Sequence, residues 1–272
     1  MNTFIRALKD RFMIEKEKND RGGVFGYTQR KMAYNSNKIE GSTLTERQTA
    51  SIFETGYISN DGETYRAKDV EEMTGHFVLF NFMLDTYLEP INHQLLKAYH
   101  SKLKAGVFED IANGYPIGDY KNRKNIVSDI ETSTPGNVEK DLDELLEWYG
   151  SLKSIEIKDI LEFHSKFEKI HPFQDGNGRI GRILIFKECL KHDISPFIIS
   201  DNDKYEYYKV LNISQNENDF THFEEFARKS QNEYYNEIRD FVLIENSMSK
   251  ISKDRFDKSI VSVEIEDDEL EL

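Results

Sequence analysis

Cysteine is nearly absent: the 272-residue chain has one, Cys189, so neither a disulfide framework nor a cysteine-based zinc site can be built within one copy. A reducing, cytoplasmic compartment is the expectation. Proline is scarce too, with five in the whole chain, which leaves long stretches free to be helical. Basic residues are the minority. The 36 Lys and Arg stand against 50 Asp and Glu, a net charge of −14. A surface of that sign repels phosphate backbones and anionic lipid, so neither nucleic acid nor a membrane is an expected partner. No apolar run reaches the ~18 residues of a membrane span. Met1 to Ile14 carries Arg6, Lys9, Asp10 and Arg11 where a secretion signal would need an apolar stretch.

What remains is a helical pattern. Ile155, Ile157, Ile160, Leu161, His164, Phe167 and Ile170 recur at three- and four-residue steps, and residues 71–88, 141–149, 178–192, 203–214 and 220–245 read as further helices. The fold class is all-α, mainly helical, with one exception. Gly114, Pro116 and Gly118 precede a strand-compatible run from Tyr120 to Val127, which predicts a small β-hairpin or flap on the helical body. Three segments are expected. Residues 1–88 form an N-terminal helical region with a helix at about 30–45, residues 89–230 a core domain, and residues 231–272 a C-terminal helix with an acidic tail that offers no packing face.

Chemistry concentrates in His171-Pro172-Phe173-Gln174-Asp175-Gly176-Asn177-Gly178-Arg179-Ile180-Gly181-Arg182. Gly176 and Gly178, with the short polar Asn177 between them, open a helix whose N-terminus attracts anions and whose N–H groups can approach a ligand. Arg179 and Arg182 lie three apart on its first turn and can hold phosphate oxygens. Asp175 is the carboxylate of the loop and is placed to hold Mg²⁺. His171, at the end of the preceding helix, is suited to take a proton from a hydroxyl. An EF-hand is excluded, because the spacing of its acidic ligands cannot be laid over this stretch. Each element alone is a common cap or turn. Together they spell a nucleotide-phosphate site with a base beside it.

Residues 171–182 match, at every defined position, the Fic-domain signature His-Pro-Phe-x-[Asp/Glu]-Gly-Asn-Gly-Arg-x-x-Arg, and the chain is identified by that resemblance as a member of the Fic family. The resemblance implies a helical Fic fold and a nucleotidyltransferase, usually a protein adenylyltransferase that moves AMP from ATP to a protein hydroxyl. His171 would be the general base and Asp175 the Mg²⁺ ligand. Gly176, Asn177 and Gly178 would form the anion hole, Arg179 and Arg182 the clamp on the β- and γ-phosphates, and Phe173 a core anchor. The implied partners are ATP, a target with a Ser, Thr or Tyr hydroxyl, and the chain itself through auto-modification, with a homodimer left open.

The flanks extend the likeness. Gly118-Asp119-Tyr120-Lys121 and then Asn125-Ile126-Val127 resemble the Fic flap, which aligns a target segment by strand addition. Tyr207, Tyr208 and Gln215 resemble the adenine-side helix, although three tyrosines at 205, 207 and 208 also read as a partly buried aromatic face. Ser36-Asn37-Lys38-Ile39-Glu40-Gly41 resembles the Fic inhibitory motif. Read from the residues, it is a helix end with Gly41 as C-cap. Read by resemblance, Ser36, Glu40 and Gly41 are regulatory, and Glu40 pairs with Arg182 to keep ATP from a productive pose. In some relatives such a glutamate also supports removal of AMP. Two further readings stay open: a nucleotide-binding regulatory module without transfer, and a transferase with a UMP or phosphocholine donor.

Overall fold

The computed structural model describes residues 2–58, 62, 64–125 and 131–243. Its elements are α1 (Asn2–Glu17), α2 (Val24–Ile39), α3 (Glu46–Thr55), α4 (Ala67–Thr86), α5 (His93–Lys104), α6 (Phe108–Ala112), α7 (Val138–Ser151), α8 (Ile157–Ile170), α9 (Asn177–Lys191) and α10 (Lys204–Glu217). A last helix, α11, runs through 221–243. The helices expected from periodicity are present with ends displaced by a few residues. No strand occurs among the described residues. The expected hairpin is thus not seen in residues 114–125, while Ile126 and Val127, and the acidic tail, lie outside the described residues. No helix among those described is long and apolar enough to cross a membrane.

Helix α9 organises the molecule. Only Gly178 and Lys191 of its residues are not buried, the pattern of a helix enclosed on all sides. Ile180, Ile183, Leu184 and Phe186 pack into the main core, while Ile185 and Cys189 face a second cluster shared with α8, α10 and α11. Phe12 of α1, Phe80 of α4 and Phe186 of α9 form an aromatic triangle with centroids 6.1 to 6.4 Å apart. Helices α1, α2 and α4 therefore bury apolar residues in the same core as the motif helix. Burial of these side chains stabilises their arrangement by roughly 1.5–3 kcal/mol each.

Some polar residues inside this core are paired, whereas both ring nitrogens of the fully buried His76 are not. Lys187 Nζ donates to Glu89 O at 2.7 Å and to Glu188 Oε1 at 2.6 Å, and Tyr149 donates to Glu188 Oε2 at 3.0 Å. At the start of α3, Thr45 and Gln48 form a capping box, which fixes the turn that returns the chain from the end of α2. That end of α2 and the start of α9 meet, and there the site is built.

Candidate active site

His171 follows α8 with φ +52° and ψ +61°, a left-handed conformation that costs a non-glycine residue about 1–3 kcal/mol. Its N–H donates to Phe167 O at 2.9 Å, and Pro172 stops the helix. Burial, and then the charge of Lys121, push the imidazole down to about 4. It is therefore neutral at pH 7 and free to accept a proton. The Glu168 carbonyl favours the charged ring, yet no hydrogen bond of good geometry closes on Nδ1.

The loop is held from within. Phe173 is fully buried and stacks on His100 with 4.2 Å between centroids, the anchor that the sequence suggests. Asn177 Oδ1 accepts from Phe173 N at 2.8 Å, and its Nδ2 donates to Phe173 O at 2.9 Å. Both side-chain groups are consumed, so Asn177 offers a ligand only its main-chain N–H. Gly176 precedes α9 with φ +86°, and no side chain caps that helix. Its first N–H groups point outward as an anion site.

Glu40 lies over this site. A Cβ on Gly178 would stand 2.3 Å from Glu40 Oε1 and 2.9 Å from Arg182 Nη1, so only glycine admits the carboxylate there. Glu40 Oε1 accepts from Arg182 Nη2 at 2.7 Å. Ser36 steadies the same guanidinium, its Oγ accepting from Nε at 2.9 Å and its O from Nη2 at 3.0 Å. Gly41 closes α2 in the left-handed region, its N–H reaching Lys38 O at 2.9 Å. Burial opposes ionisation of Glu40, but Arg182 and Arg179 more than offset it and hold the carboxyl below its ordinary range.

Arg179 takes different partners. Its guanidinium meets Glu72 Oε2 at 2.6 Å, Asp175 Oδ1 at 3.2 Å and Asn37 Oδ1 at 3.3 Å. The two arginines expected on one face thus bind different carboxylates. Asp175 Oδ1 also accepts from Gly176 N at 2.7 Å, and Oδ2 lies 2.7 Å from Lys104 Nζ. Lys104 Nζ stands 2.5 Å from both Glu72 Oε1 and Asp110 Oδ2. Oxygens of Glu72, Asp110 and Asp175 lie within 4.8 Å of one another, and this ammonium sits among them. Glu72 and Asp110 are therefore neutralised by the protein's own cations. Asp175, with a side chain 33% exposed, is the most accessible of these three carboxylates. Burial opposes its charge, but Arg179, Lys104 and Lys68 hold it far below the carboxylate range.

Similarity to known proteins bears on the family and the fold. Residues 90–188 match the model of the Fic/DOC family. This chain carries a Fic/DOC-family domain. It is 31% identical over 189 residues to the protein adenylyltransferase Fic of Nematostella vectensis, which covers 66% of this chain and 42% of that protein. It is 26% identical over 191 residues to the protein adenylyltransferase fic-1 of Caenorhabditis elegans, covering 66% and 35%. The chain thus spans less than half the length of these relatives. Among solved structures, a Fic-domain-containing signalling protein of Bacteroides thetaiotaomicron is similar with a TM-score of 0.64 and 23% identity, covering 90% of this chain and 91% of that one. A Fic-1 fragment of C. elegans reaches 0.67 at 20% identity, covering 90% and 74%. These two likenesses concern the fold.

Beside the Fic motif, the three residues expected at the base side divide. Tyr207 is core: it is buried, and its hydroxyl pairs with His164 Nε2 at 2.9 Å. Tyr208 is 42% exposed, and burial, then the charge of Glu40, push its hydroxyl up to about 12. Gln215 donates from Nε2 to Ser165 O at 3.1 Å, leaving Oε1 buried and unpaired. Asn125, expected in the flap, turns inward and donates to Phe173 O at 2.9 Å. Sequence reading missed Glu72, Lys104 and Asn37. The available signal was weak: a Glu and a Lys standing on buried stripes of α4 and α5, and an Asn inside the upstream motif.

Proposed function

We propose that this chain is an autoinhibited protein adenylyltransferase that moves AMP from Mg·ATP to a hydroxyl side chain of a target protein, and to itself. One observation carries the reading: the Glu40–Arg182 pair lies over the uncapped N-terminus of α9, beside a motif loop whose histidine is neutral. The polyphosphate binds at that N-terminus, and Arg182 takes the γ-phosphate once Glu40 leaves. Arg179 contributes its charge to the same end of the helix while bracing Asp175. Mg²⁺ on Asp175, when bound, neutralises phosphate charge. In the transfer, the target's hydroxyl oxygen bonds to the α-phosphorus, the bond from that phosphorus to the oxygen bridging it to the β-phosphate breaks, and pyrophosphate leaves. His171 takes the hydroxyl proton.

Tyr208 and Gln215 lie on the side of the base, backed by Tyr207. The segment at Asn125, Ile126 and Val127 serves as the flap that aligns the target. Residues 1–88 are the regulatory region, 89–230 the catalytic core and 231–272 an extension, in a cytoplasmic protein. With AMP-protein bound, Glu40 takes a proton from a water whose oxygen bonds to the phosphorus, the bond from that phosphorus to the target's oxygen breaks, protonated His171 returns a proton to that oxygen, and AMP leaves. The test is intact-mass spectrometry of the purified chain and of Glu40→Gly after incubation with Mg²⁺ and ATP, UTP or a phosphocholine donor, with lysate protein as acceptor. An AMP adduct supports the proposal and another adduct replaces the donor. No adduct in either protein, with nucleotide still bound, leaves the regulatory-module reading.

A further inference from the structure

Lys121 is buried at 3% exposure, yet among the described residues no carboxylate lies within ion-pair distance of it. Its Nζ donates to Asn125 Oδ1 at 2.7 Å, Thr132 Oγ1 at 3.1 Å and Ile170 O at 3.4 Å. Its main-chain N–H donates to Pro172 O at 2.9 Å. Ile170 and Pro172 are the two neighbours of His171, so one residue binds the carbonyl on each side of the base. Asn125, held by the same ammonium, extends the attachment to Phe173 O at 2.9 Å. A buried unpaired ammonium is costly, and a lysine whose only role was to fill space would be replaced at no loss by an apolar side chain.

We propose that Lys121 is a positioning residue for His171: it ties both flanking peptides of the base to Asn125 and Thr132 and sets a buried positive charge beside the imidazole. The backbone ties hold His171 in its left-handed conformation. The charge disfavours an imidazolium, so the ring stays a free base in mildly acidic conditions. The other ionisable groups that act on His171 are Glu40 after α2 and Asp175 in the loop, both of which favour the charged ring, with the Glu168 carbonyl from α8 acting in the same direction. Lys121 is the cation that opposes them. Burial pushes Lys121 down to about 8, so it remains mostly charged at neutral pH. This inference rests on His171 being the base of the proposed transfer.

The experiment reads the ring directly, so that it stands apart from turnover. The full chain is labelled at histidine Cε1, the His171 resonance is assigned by its loss in His171→Gln, and the ring is titrated by NMR. Three variants are compared. Lys121→Met removes donor and charge, Lys121→Gln retains a donor without charge, and Lys121→Arg retains both. The midpoint of His171 should rise by about half a pH unit or more in Lys121→Met and Lys121→Gln and stay near the parent value in Lys121→Arg. If Lys121→Met does not fold, Lys121→Gln carries the comparison. An unchanged midpoint in Lys121→Gln, or an equal rise in Lys121→Arg, overturns the proposal. If His171→Ala retained transfer, the base assignment would fail instead, and the titration would remain interpretable.

Discussion

Replacing Glu40 by glycine separates an inhibitory contact from a helix end, because the two differ in the sign of their effect on activity. Glu40 Oε1 lies 2.7 Å from Arg182 Nη2, with the arginine side chain 5% exposed and the glutamate 31%. A hydrogen bond between charged groups contributes roughly 1.5–3 kcal/mol, and roughly 1.4 kcal/mol is a factor of ten. Partial exposure of Glu40 favours the lower end. Its removal frees Arg182, which keeps its two bonds to Ser36, and uncovers the N–H groups at Gly178. Auto-modification and target modification by Glu40→Gly should therefore rise about tenfold or more over the parent at matched Mg·ATP. If residues 36–41 were only a helix end, the same change would cost about 1 kcal/mol of stability and add no activity. The assay is the initial rate of AMP incorporation with acceptor protein in excess. The double variant Glu40→Gly with Arg182→Ala should lose the gain, since the released guanidinium is gone. Equal rates in Glu40→Gly and the parent would refute inhibition by this contact.

Other outcomes follow from the same geometry. His171→Ala should abolish transfer while leaving Mg·ATP affinity within about a factor of ten, measured by calorimetry; retained transfer would remove His171 from the mechanism. Asp175→Asn should raise the Mg²⁺ concentration needed for half-maximal rate, and an unchanged Mg²⁺ dependence would exclude it as the metal ligand. Lys104→Met leaves Glu72, Asp110 and Asp175 without their shared ammonium and should cost about 3–5 kcal/mol in urea unfolding; a loss under about 1 kcal/mol would show that the cluster is solvated. Burial holds His76 and His164 at about 3 and His100 and His171 at about 4, all below the unfolded value near 6.5. Their stability contribution is complete above that value and is lost as pH falls through it, because the unfolded chain binds the protons first. Glu168, raised to about 8 by burial, acts in the opposite sense with one proton. The urea midpoint should fall between pH 6.5 and 5, and a rising midpoint would contradict the buried neutral imidazoles.

Local signals made much of this molecule legible. Periodicity predicted a helix at 178–192, and α9 is that helix, enclosed on all sides. Gly41 as the end of α2 follows from a short local pattern, whereas Phe173 as an anchor and the approach of Glu40 to Arg182 were implied by the resemblance to the Fic family. What stayed hidden depends on which helices become neighbours. Arg179 is three residues from Arg182 and reads as its companion, but α4 brings Glu72 against it and divides the pair. Lys104 and Glu72 are ordinary surface residues by type, and only the packing of α4 against α5 buries them. Asn125 reads as part of a strand that would pair with a target, whereas its amide is used by Phe173. Tyr207 and Tyr208 are adjacent and alike in sequence, and helix rotation sends one to the core and the other to the surface.

AMP transfer differs from phosphorylation in which phosphorus of ATP ends on the protein. The parent chain, Glu40→Gly, and Glu40→Gly with His171→Ala are each incubated with Mg²⁺ and ATP radiolabelled at either the α- or the γ-phosphate, and protein-bound label is counted. Label from the α-phosphate alone is predicted, strong in Glu40→Gly, weak in the parent and absent when His171 is replaced. Label from the γ-phosphate, or equal α-label with and without His171, would contradict the account.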